Sequence, residues 1–409
     1  MRPLLWRART VVPDPASSID DGAVLVRDGR VAAVGRYADL RREGARVQDL
    51  GESALLPGLV NAHCHLDLTG ARGRCAPTSD FLGWIQGIRD LRDGLRPTVA
   101  AAVEEGAKEL LAGGCTLVGD TVWEVEGLDG LRRSGIRAVA LMEVLGFTDE
   151  VRKPLGPALG TADGLDANGT LSPGLAPHSP YTCTEDLLRR SAEAARVRRL
   201  PVSIHLAETR HEVDWLLEGG GAFAEPLRAL FGPQWRPPGK RPAEHLRSIG
   251  FLDEPRLLAH GNQFDAAERE IVRDSGCVVA HCPGSHAFFG HDHHPVADLR
   301  ASGIPVAIGT DGLVSHPDGV LSIPNDLRRL AARVPGIPPA ELLAMATVNG
   351  AEGLGLAGRA GVLRAGAFAD AAAFAVPGGW KGPESLLDPD LRCVCAFVGG
   401  VLRHERKGP

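Results

Sequence analysis

Short apolar runs alternate with longer amphipathic stretches through the central part of the chain. Eight runs have the length of buried strands, at residues 59–63, 115–119, 137–143, 174–178, 202–206, 256–260, 277–281 and 305–310. Between them, residues 98–112 and 184–198 have helical patterns, and Thr184 is the predicted N-cap of the second. Regular alternation of strand and helix requires parallel strands with crossover connections. The pattern predicts an α/β fold, a (β/α)8 TIM barrel, with an open doubly wound sheet as the alternative.

Both ends of the chain have strand patterns without intervening helices. Residues 10–12, 22–27 and 30–34 are strand-like, and Asp28-Gly29 is a predicted hairpin turn. After a predicted helix at 339–352, strand patterns return at 369–375 and 394–403. We expect both termini to form one small β-sandwich domain. The domains are therefore 1–56 (N-terminal part of the sandwich), 57–361 (barrel) and 362–409 (C-terminal part of the sandwich).

Charge and composition exclude several classes of partner. The 409 residues have a formal net charge of −6 and no concentrated basic run, which argues against nucleic acid. No apolar stretch approaches the roughly 20 residues of a membrane-spanning helix. The eight cysteines are scattered, which is typical of reduced, mostly buried thiols. We expect a cytoplasmic protein that binds a small molecule, not nucleic acid or a membrane, with a homodimer as one option for assembly.

Histidines follow the first apolar run at a spacing that suits a metal. His63 and His65 are two residues apart, so on a strand both imidazoles point to the same face. The pair alone is weak evidence, because a second such pair occurs at His291 and His293. The position strengthens the interpretation, since active sites of these barrels gather at the carboxyl ends of strands.

Other polar residues are predicted at the same end of the barrel. His205 ends the fifth run, His260 ends the sixth, and Asp311 follows the eighth. Together with His63 and His65 they form a set of nitrogen and oxygen donors that suits one divalent metal ion, Zn²⁺ in preference to Fe²⁺ or Mn²⁺. The alternative is a set of independent hydrogen-bonded residues at strand ends.

Glu208 lies three residues after His205, just past a predicted strand end. A carboxyl group near substrate in an apolar cavity can have a pKa raised toward neutrality and act as a general acid. The alternative is an ordinary loop carboxylate.

Five motifs resemble the amidohydrolase superfamily. They are LPGLVNAHCH at 56–65, PHSPY at 177–181, HLAET at 205–209, LAHG at 258–261 and GTD at 309–311. The likeness is to the branch of metal-dependent aminohydrolases and chlorohydrolases, which includes nucleoside, aminodeoxyfutalosine and nucleobase deaminases and triazine hydrolases. It covers nearly the whole chain, the split β-domain included.

The resemblance implies a mononuclear site and assigns roles within it. The implied metal ligands are His63, His65, His205 and Asp311. By the same likeness, Asp311 takes a proton from the attacking water, His260 stabilises developing charge and Glu208 protonates a ring nitrogen. Binuclear relatives use a carboxylated lysine at the end of the fourth strand, where this chain has Pro177 and His178.

Three residues are candidates for contacting substrate. His178 follows the fourth run, with a structural hydrogen bond as the alternative role. Ser315 is a candidate because relatives commonly have serine directly after the strand-eight aspartate, where this chain has Gly312. Trp84 is predicted either to line the pocket or to pack on a helix. The stretch from His286 to His294 has histidines enough for a second metal, but its composition favours a loop at the rim.

The implied activity is hydrolysis of a carbon–nitrogen bond other than a peptide bond. We predict a deaminase that removes an exocyclic amino group from a purine-like nucleoside or related heterocycle and releases ammonia, with adenosine or aminodeoxyfutalosine types favoured. A chlorohydrolase or a cyclic amide (imidazolone-type) hydrolase is the alternative, and a non-catalytic scaffold is a remote one.

Overall fold

The computed structural model describes residues 3–41, 44–147 and 151–406, the side chains of residues 151 and 152 aside. Its strands are β1 (Leu4–Asp14), β2 (Ser17–Arg27), β3 (Arg30–Arg36), β4 (Arg46–Asp49), β5 (Ala54–Pro57), β6 (Leu59–His65), β7 (Cys115–Val122), β8 (Arg137–Gly146), β9 (Val151–Lys153), β10 (Leu171–Pro177), β11 (Ser203–Leu206), β12 (Leu257–His260), β13 (Val278–His281), β14 (Val306–Ile308), β15 (Asp311–Gly312), β16 (Ala371–Ala375), β17 (Arg392–Val398) and β18 (Val401–Glu405).

The helices lie mostly between the strands of the central part. They are α1 (Tyr37–Leu40), α2 (Phe81–Leu95), α3 (Val99–Ala112), α4 (Gly127–Ser134), α5 (Leu155–Asp163), α6 (Glu185–Arg198), α7 (Arg210–Glu218), α8 (Ala224–Phe231), α9 (Pro242–Ser248), α10 (Ala266–Asp274), α11 (Pro283–Phe288), α12 (Val296–Ala301), α13 (Ile323–Arg333), α14 (Pro339–Met345) and α15 (Val348–Gly353). Among the described residues, no helix combines the length and apolar composition that crossing a bilayer requires.

Strands from both ends of the chain form one eight-stranded sheet. Its order is β18-β17-β16-β5-β1-β2-β3, and β4 pairs with β1. Asp28 and Gly29 both have positive φ, 48° and 74°, as a two-residue turn between β2 and β3 requires. Gly399 and Gly400 join β17 to β18 with the same signs. Strands from the two ends of the chain therefore pair in a single sheet.

All eight central apolar runs form parallel strands, β6, β7, β8, β10, β11, β12, β13 and β14. They pair as β10-β8-β7-β6-β15 and as β11-β12-β13-β14. A single parallel bridge between Leu175 and Val202 connects the two sheets. At the other edge, Thr310 donates its backbone N–H to the carbonyl of His63 at 3.1 Å. The α/β fold class predicted from the sequence is confirmed.

The prediction of a single helix over residues 339–352 is wrong. Two helices, α14 and α15, are separated at Ala346 and Thr347. The carbonyl of Ala346 accepts a hydrogen bond from the N–H of Val60, at the start of β6, so it does not continue the helical ladder. Thr347 donates its hydroxyl to the carbonyl of Leu343, an alternative to the backbone bond that often bends helices.

The apolar core lies among the parallel strands and beneath their carboxyl ends. One buried cluster contains Val60, Ala62, Leu117, Val139, Leu141, Ala176, Leu257, Val278, Ala280 and Ala307. The polar residues of the candidate site follow these positions along the same strands. All eight cysteines are free thiols and seven of them are buried.

Candidate metal centre and active site

The predicted metal-binding residues come together at the carboxyl ends of four strands. His63 and His65 lie at the end of β6, His205 in β11, His260 at the end of β12, and Asp311 in β15. The ring centroid of His63 lies 5.0 Å from that of His65, 4.8 Å from His205 and 5.4 Å from His260. Residues separated by up to 248 positions in the sequence, 311 minus 63, therefore form one cluster.

Donor atoms in this cluster are close enough to share one cation. Two overlapping groups, His63 with His65 and Asp311, and His63 with His205 and His260, each have ligand atoms within 4.8 Å of one another. Asp311 Oδ1 lies 3.6 Å from His63 Nε2 and 3.7 Å from His65 Nε2. One carboxylate and several imidazoles are the donors that Zn²⁺ and similar divalent ions prefer.

The hydrogen bonds of the imidazoles fit a metal ion. His205 Nδ1 donates to the carbonyl of His178 at 2.8 Å, so its Nε2 carries the lone pair and lies 3.2 Å from His65 Nε2. Both ring nitrogens of His63 and Nε2 of His260 are buried without a hydrogen-bond partner among the described residues. Unpartnered buried nitrogens are costly, and a cation between them would remove that cost.

Burial sets the protonation states of the cluster. It lowers the pKa of His205 to about 3 and that of His65 well below its ordinary value, with nearby His63 adding to both effects. Burial alone would raise the pKa of Asp311, but electrostatic interaction with the adjacent imidazoles of His63, His260 and His65 holds it well below its ordinary value. Neutral imidazoles and an ionised carboxylate are the forms that ligate metals.

The strand ends that carry the site have an unusual backbone. Ala207, His260 and Asp311 have positive φ angles of 53°, 73° and 58°. Non-glycine residues in this region cost about 1–3 kcal/mol and are found where the surrounding structure determines them strongly. The strain redirects the chain at each strand end and thereby orients the functional side chains.

Glu208 lies beside the cluster in a form suited to acid catalysis. Its Oε1 is 3.6 Å from His260 Nε2, and the residue is buried. Burial raises the pKa of Glu208 well above its ordinary value, and the charges of Asp311 and Glu212 raise it further. The raised pKa favours the protonated carboxyl group, the form that donates a proton.

A cavity of about 300 Å³ opens at the cluster. Polar groups line its inner end, and apolar side chains line most of the rest. The apolar and aromatic lining consists of Leu68, Phe81, Leu82, Trp84, Ile85, Ile88, Trp123, Leu145, Phe147, Tyr181, Phe223, Pro226, Leu227 and Leu230. Pockets of this kind bind small molecules through apolar contact with a few polar groups for orientation.

The three predicted substrate contacts have different environments. His178 and Trp84 line the cavity. His178 Nδ1 is hydrogen-bonded to Thr182 Oγ1 at 2.7 Å, which leaves Nε2 for another partner. Ser315 is fully buried away from the cavity lining, and its hydroxyl donates to Asp311 Oδ2 at 2.8 Å.

The histidine-rich stretch begins within a helix and is more buried than the sequence predicted. Residues Pro283–Phe288 form α11, and both His286 and His294 are buried rather than at an open rim. His294 Nε2 donates to the carbonyl of His260 at 2.8 Å. Among the described residues of this stretch, no three donor atoms of His, Cys, Asp or Glu lie within 4.8 Å of one another.

Sequence reasoning missed two parts of the site. The first is the apolar wall formed by Phe223 and α8, whose signal was the helical spacing of four and then three residues between Phe223, Leu227 and Leu230. The second is a set of buried hydrogen bonds behind the strand ends, made by Asn61 and Glu212. No local sequence pattern predicts these hydrogen bonds.

The chain is similar to a known protein family and to characterised relatives. Residues 54–400 match the model of the amidohydrolase family, and residues 22–43 match an imidazolonepropionase-like composite domain of bacteria. The 5-methylthioadenosine/S-adenosylhomocysteine deaminase of Halobacterium salinarum is 32% identical over 378 residues, covering 88% of this chain and 81% of that protein.

Solved structures are similar over nearly the whole chain. A zinc-bound adenosine deaminase from Xanthomonas campestris has a TM-score of 0.84 at 25% identity and covers 98% of this chain and 92% of its own. The aminofutalosine deaminase of Helicobacter pylori, in complex with methylthio-coformycin, has a TM-score of 0.85 at 21% identity and covers 97% and 99%. At 21% identity, the similarity to the aminofutalosine deaminase shows a shared fold.

Proposed function

This chain belongs to the amidohydrolase family, and from that premise we propose that it is a metal-dependent hydrolase that deaminates the adenine ring of a nucleoside and releases ammonia. The observation that carries the proposal is the position of a buried Glu208, whose pKa burial raises, beside a cluster of histidines and one aspartate that lines an apolar cavity. Relatives over most of the chain are deaminases of 5-methylthioadenosine and S-adenosylhomocysteine.

The metal ligands we propose are His63, His65, His205 and Asp311. The neutral imidazoles of His65 and His205 and the ionised carboxylate of Asp311 support this set, and zinc bound to the similar adenosine deaminase supports Zn²⁺ as the ion. A divalent ion held there would supply a hydroxide nucleophile at neutral pH by lowering the pKa of water from about 15.7 toward 7.

Three side chains of the chain itself move or hold protons. Glu208 donates its proton to a nitrogen of the adenine ring as the amidine carbon becomes tetrahedral. Asp311 accepts a proton from the attacking water and passes it to the departing amine, while the proton of the new hydroxyl group returns to Glu208 as the carbonyl forms. His260 is neutral because burial lowers its pKa, and its Nε2 is free to hydrogen-bond the attacking oxygen.

The cavity suggests how the nucleoside lies. The adenine ring occupies the polar inner end, where His178 contacts the substrate through Nε2, and Trp84 packs against the nucleoside farther out. The sugar substituent extends along the apolar wall of Phe223 and α8. Ser315 acts through its hydrogen bond to Asp311.

We also propose the finer architecture that this function needs. The bridge between Leu175 and Val202, together with the pairing of β15 with β6, supports closure of the parallel strands into a (β/α)8 barrel. The sheet from both termini supports a small β-sandwich composed of 1–56 and 362–409, with 57–361 as the barrel domain.

The test is ammonia release from a panel containing 5-methylthioadenosine, S-adenosylhomocysteine, adenosine, guanine and cytosine, with the metal content of the protein measured by elemental analysis. We expect turnover of an adenine nucleoside, loss of activity on chelation, and recovery with Zn²⁺. Glu208→Gln should lower kcat by about 10²–10⁴-fold while the metal content stays unchanged. Absence of ammonia from every adenine nucleoside, or unchanged turnover in Glu208→Gln, would contradict the proposal.

A further inference from the structure

Glu212 is buried directly behind the segment that carries Glu208. It lies in α7 and is fully buried. Its Oε1 accepts the backbone N–H of Ala207 at 3.0 Å, and its Oε2 accepts the N–H of Glu208 at 2.9 Å. One carboxyl group therefore satisfies two consecutive amides between the end of β11 and the start of α7.

This arrangement differs from ordinary helix capping. Thr209 is the N-cap of α7, and Glu212 occupies the third helical position, from which a glutamate usually reaches back to the N–H of the cap residue. Glu268 does so in α10, where it accepts the N–H of Asp265 at 3.2 Å. Glu212 instead reaches the two residues before its cap, so its bonds hold the segment outside the helix.

The segment that Glu212 holds is strained. Ala207 has φ of 53°, a left-handed conformation that costs an L-residue about 1–2 kcal/mol. Such a conformation persists only where its surroundings enforce it. Asn262 adds a third constraint, because its Nδ2 donates to the carbonyl of Glu208 at 3.0 Å. The peptide groups on both sides of the Glu208 side chain are therefore fixed.

We propose that Glu212 is a positioning residue whose carboxyl group fixes the left-handed turn at Ala207 and so directs the carboxyl group of Glu208 into the cavity. The catalytic consequence rests on the proposed function, whereas the geometric role does not. Loss of the two bonds lets Ala207 relax toward the favoured region and turns Glu208 away from substrate. Displacement of about 1 Å in a catalytic group can reduce a rate 100-fold.

The kinetic test compares Glu212→Gln with Glu268→Gln. Both change a fully buried glutamate at the third position of a helix, but Glu268 bonds Ala243 and Asp265 outside the site. We expect Glu212→Gln to lower kcat by about 10- to 100-fold, with KM and metal content within about twofold of the wild type. Glu268→Gln should have a kcat within about twofold of the wild type, even if it lowers the melting temperature as much as Glu212→Gln does. Unchanged kcat in Glu212→Gln, or equal loss in both variants, overturns the proposal.

A crystal structure of Glu212→Gln separates this proposal from the proposed function. We expect φ of residue 207 to leave the left-handed region and the carboxyl group of Glu208 to withdraw from His260, whatever reaction the wild type catalyses. An unchanged 207–208 backbone overturns the positioning role, whereas a wild type without deaminase activity overturns only the function. If Glu212→Gln does not fold, Asn262→Ala tests the same segment by removing the hydrogen bond to the carbonyl of Glu208. We expect the same fall in kcat, and an unchanged kcat would contradict the proposal.

Discussion

At the scale of single residues, a buried carboxyl group outside the metal cluster makes stability depend on pH. Glu143 lies in β8, is 4% exposed, and has no hydrogen-bond partner for either carboxyl oxygen in the part of the chain that the structure describes. Burial raises its pKa from 4.5 to about 7. The protonated form is therefore favoured in the folded state, and the folded protein binds a proton that the unfolded chain has lost.

The sign of the effect follows from this shift. The contribution of Glu143 to the free energy of unfolding is fully present below pH 4.5, the unfolded pKa, and is lost as the pH rises through 7. Glu143→Gln removes the titrating group. We expect the fall in unfolding free energy between pH 5 and pH 9 to be smaller in the variant by about 2–3 kcal/mol.

Chemical denaturation at several pH values measures this difference. Glu270→Gln, at an exposed position of α10, is the matched control and should follow the wild type. Equal pH dependence in Glu143→Gln and the wild type would show that Glu143 titrates alike in the folded and unfolded states.

The sequence indicated the chemical groups of the site better than the bonds that orient them. His63, His65, His205, His260 and Asp311 could be found because each lies at a strand end, where barrel enzymes place their chemistry. The hydrogen bonds that orient these side chains could not be predicted, because they join positions that are distant in the sequence. Asn61 Nδ2, for example, donates to Thr310 Oγ1 at 2.7 Å across 249 residues, and neither residue type signals the other.

At the scale of elements, the predicted strands were correct and the errors followed tertiary contacts. A short continuous apolar run bounded by turn residues is typical of a buried strand, so all eight central runs were found. The break between α14 and α15 was missed because its cause is a hydrogen bond to β6, which no pattern within 339–352 contains. α8 was missed because an apolar spacing in a connecting segment is equally typical of core packing.

The wall formed by α8 leads to a prediction about selectivity. Leu227 and Leu230 project from α8 into the cavity lining, at the place proposed for the sugar substituent. Leu227→Ala should reduce the preference for 5-methylthioadenosine over adenosine by about tenfold in kcat/KM, because apolar contact of one or two methylene groups contributes about 1–3 kcal/mol. Activity on adenosine should change little, since its smaller substituent makes less contact with this wall.

Steady-state kinetics with both nucleosides provide the measurement. Ala229→Ser, on the exposed face of α8, is the control and should leave the preference as in the wild type. If Leu227→Ala lowers kcat/KM equally for both substrates, the wall supports the fold and does not select the substituent.

At the scale of the whole molecule, a buried ion pair links the parallel strands to the terminal sheet. Arg137, at the start of β8, donates Nε to Asp370 Oδ2 at 2.5 Å and Nη2 to Oδ1 at 3.1 Å. Asp370 directly precedes β16 and also accepts the N–H of Gly399, in the turn between β17 and β18, at 2.7 Å. The guanidinium of Arg137 lies 3.6 Å from the ring centroid of Phe368. The sequence predicted that the termini meet, but it did not predict the Arg137–Asp370 ion pair that connects them to the parallel strands.

This link predicts that the two parts unfold together. Asp370→Ala leaves the guanidinium of Arg137 buried without its carboxylate, which costs about 3–5 kcal/mol for a broken buried pair. Because both side chains are more than 95% buried, solvent cannot replace the lost partner. Calorimetry should show one transition in both the wild type and Asp370→Ala, shifted to lower temperature in the variant. Two separate transitions in the wild type would mean that the terminal sheet is an independent folding unit, and the effect of Asp370→Ala would then be confined to the lower one.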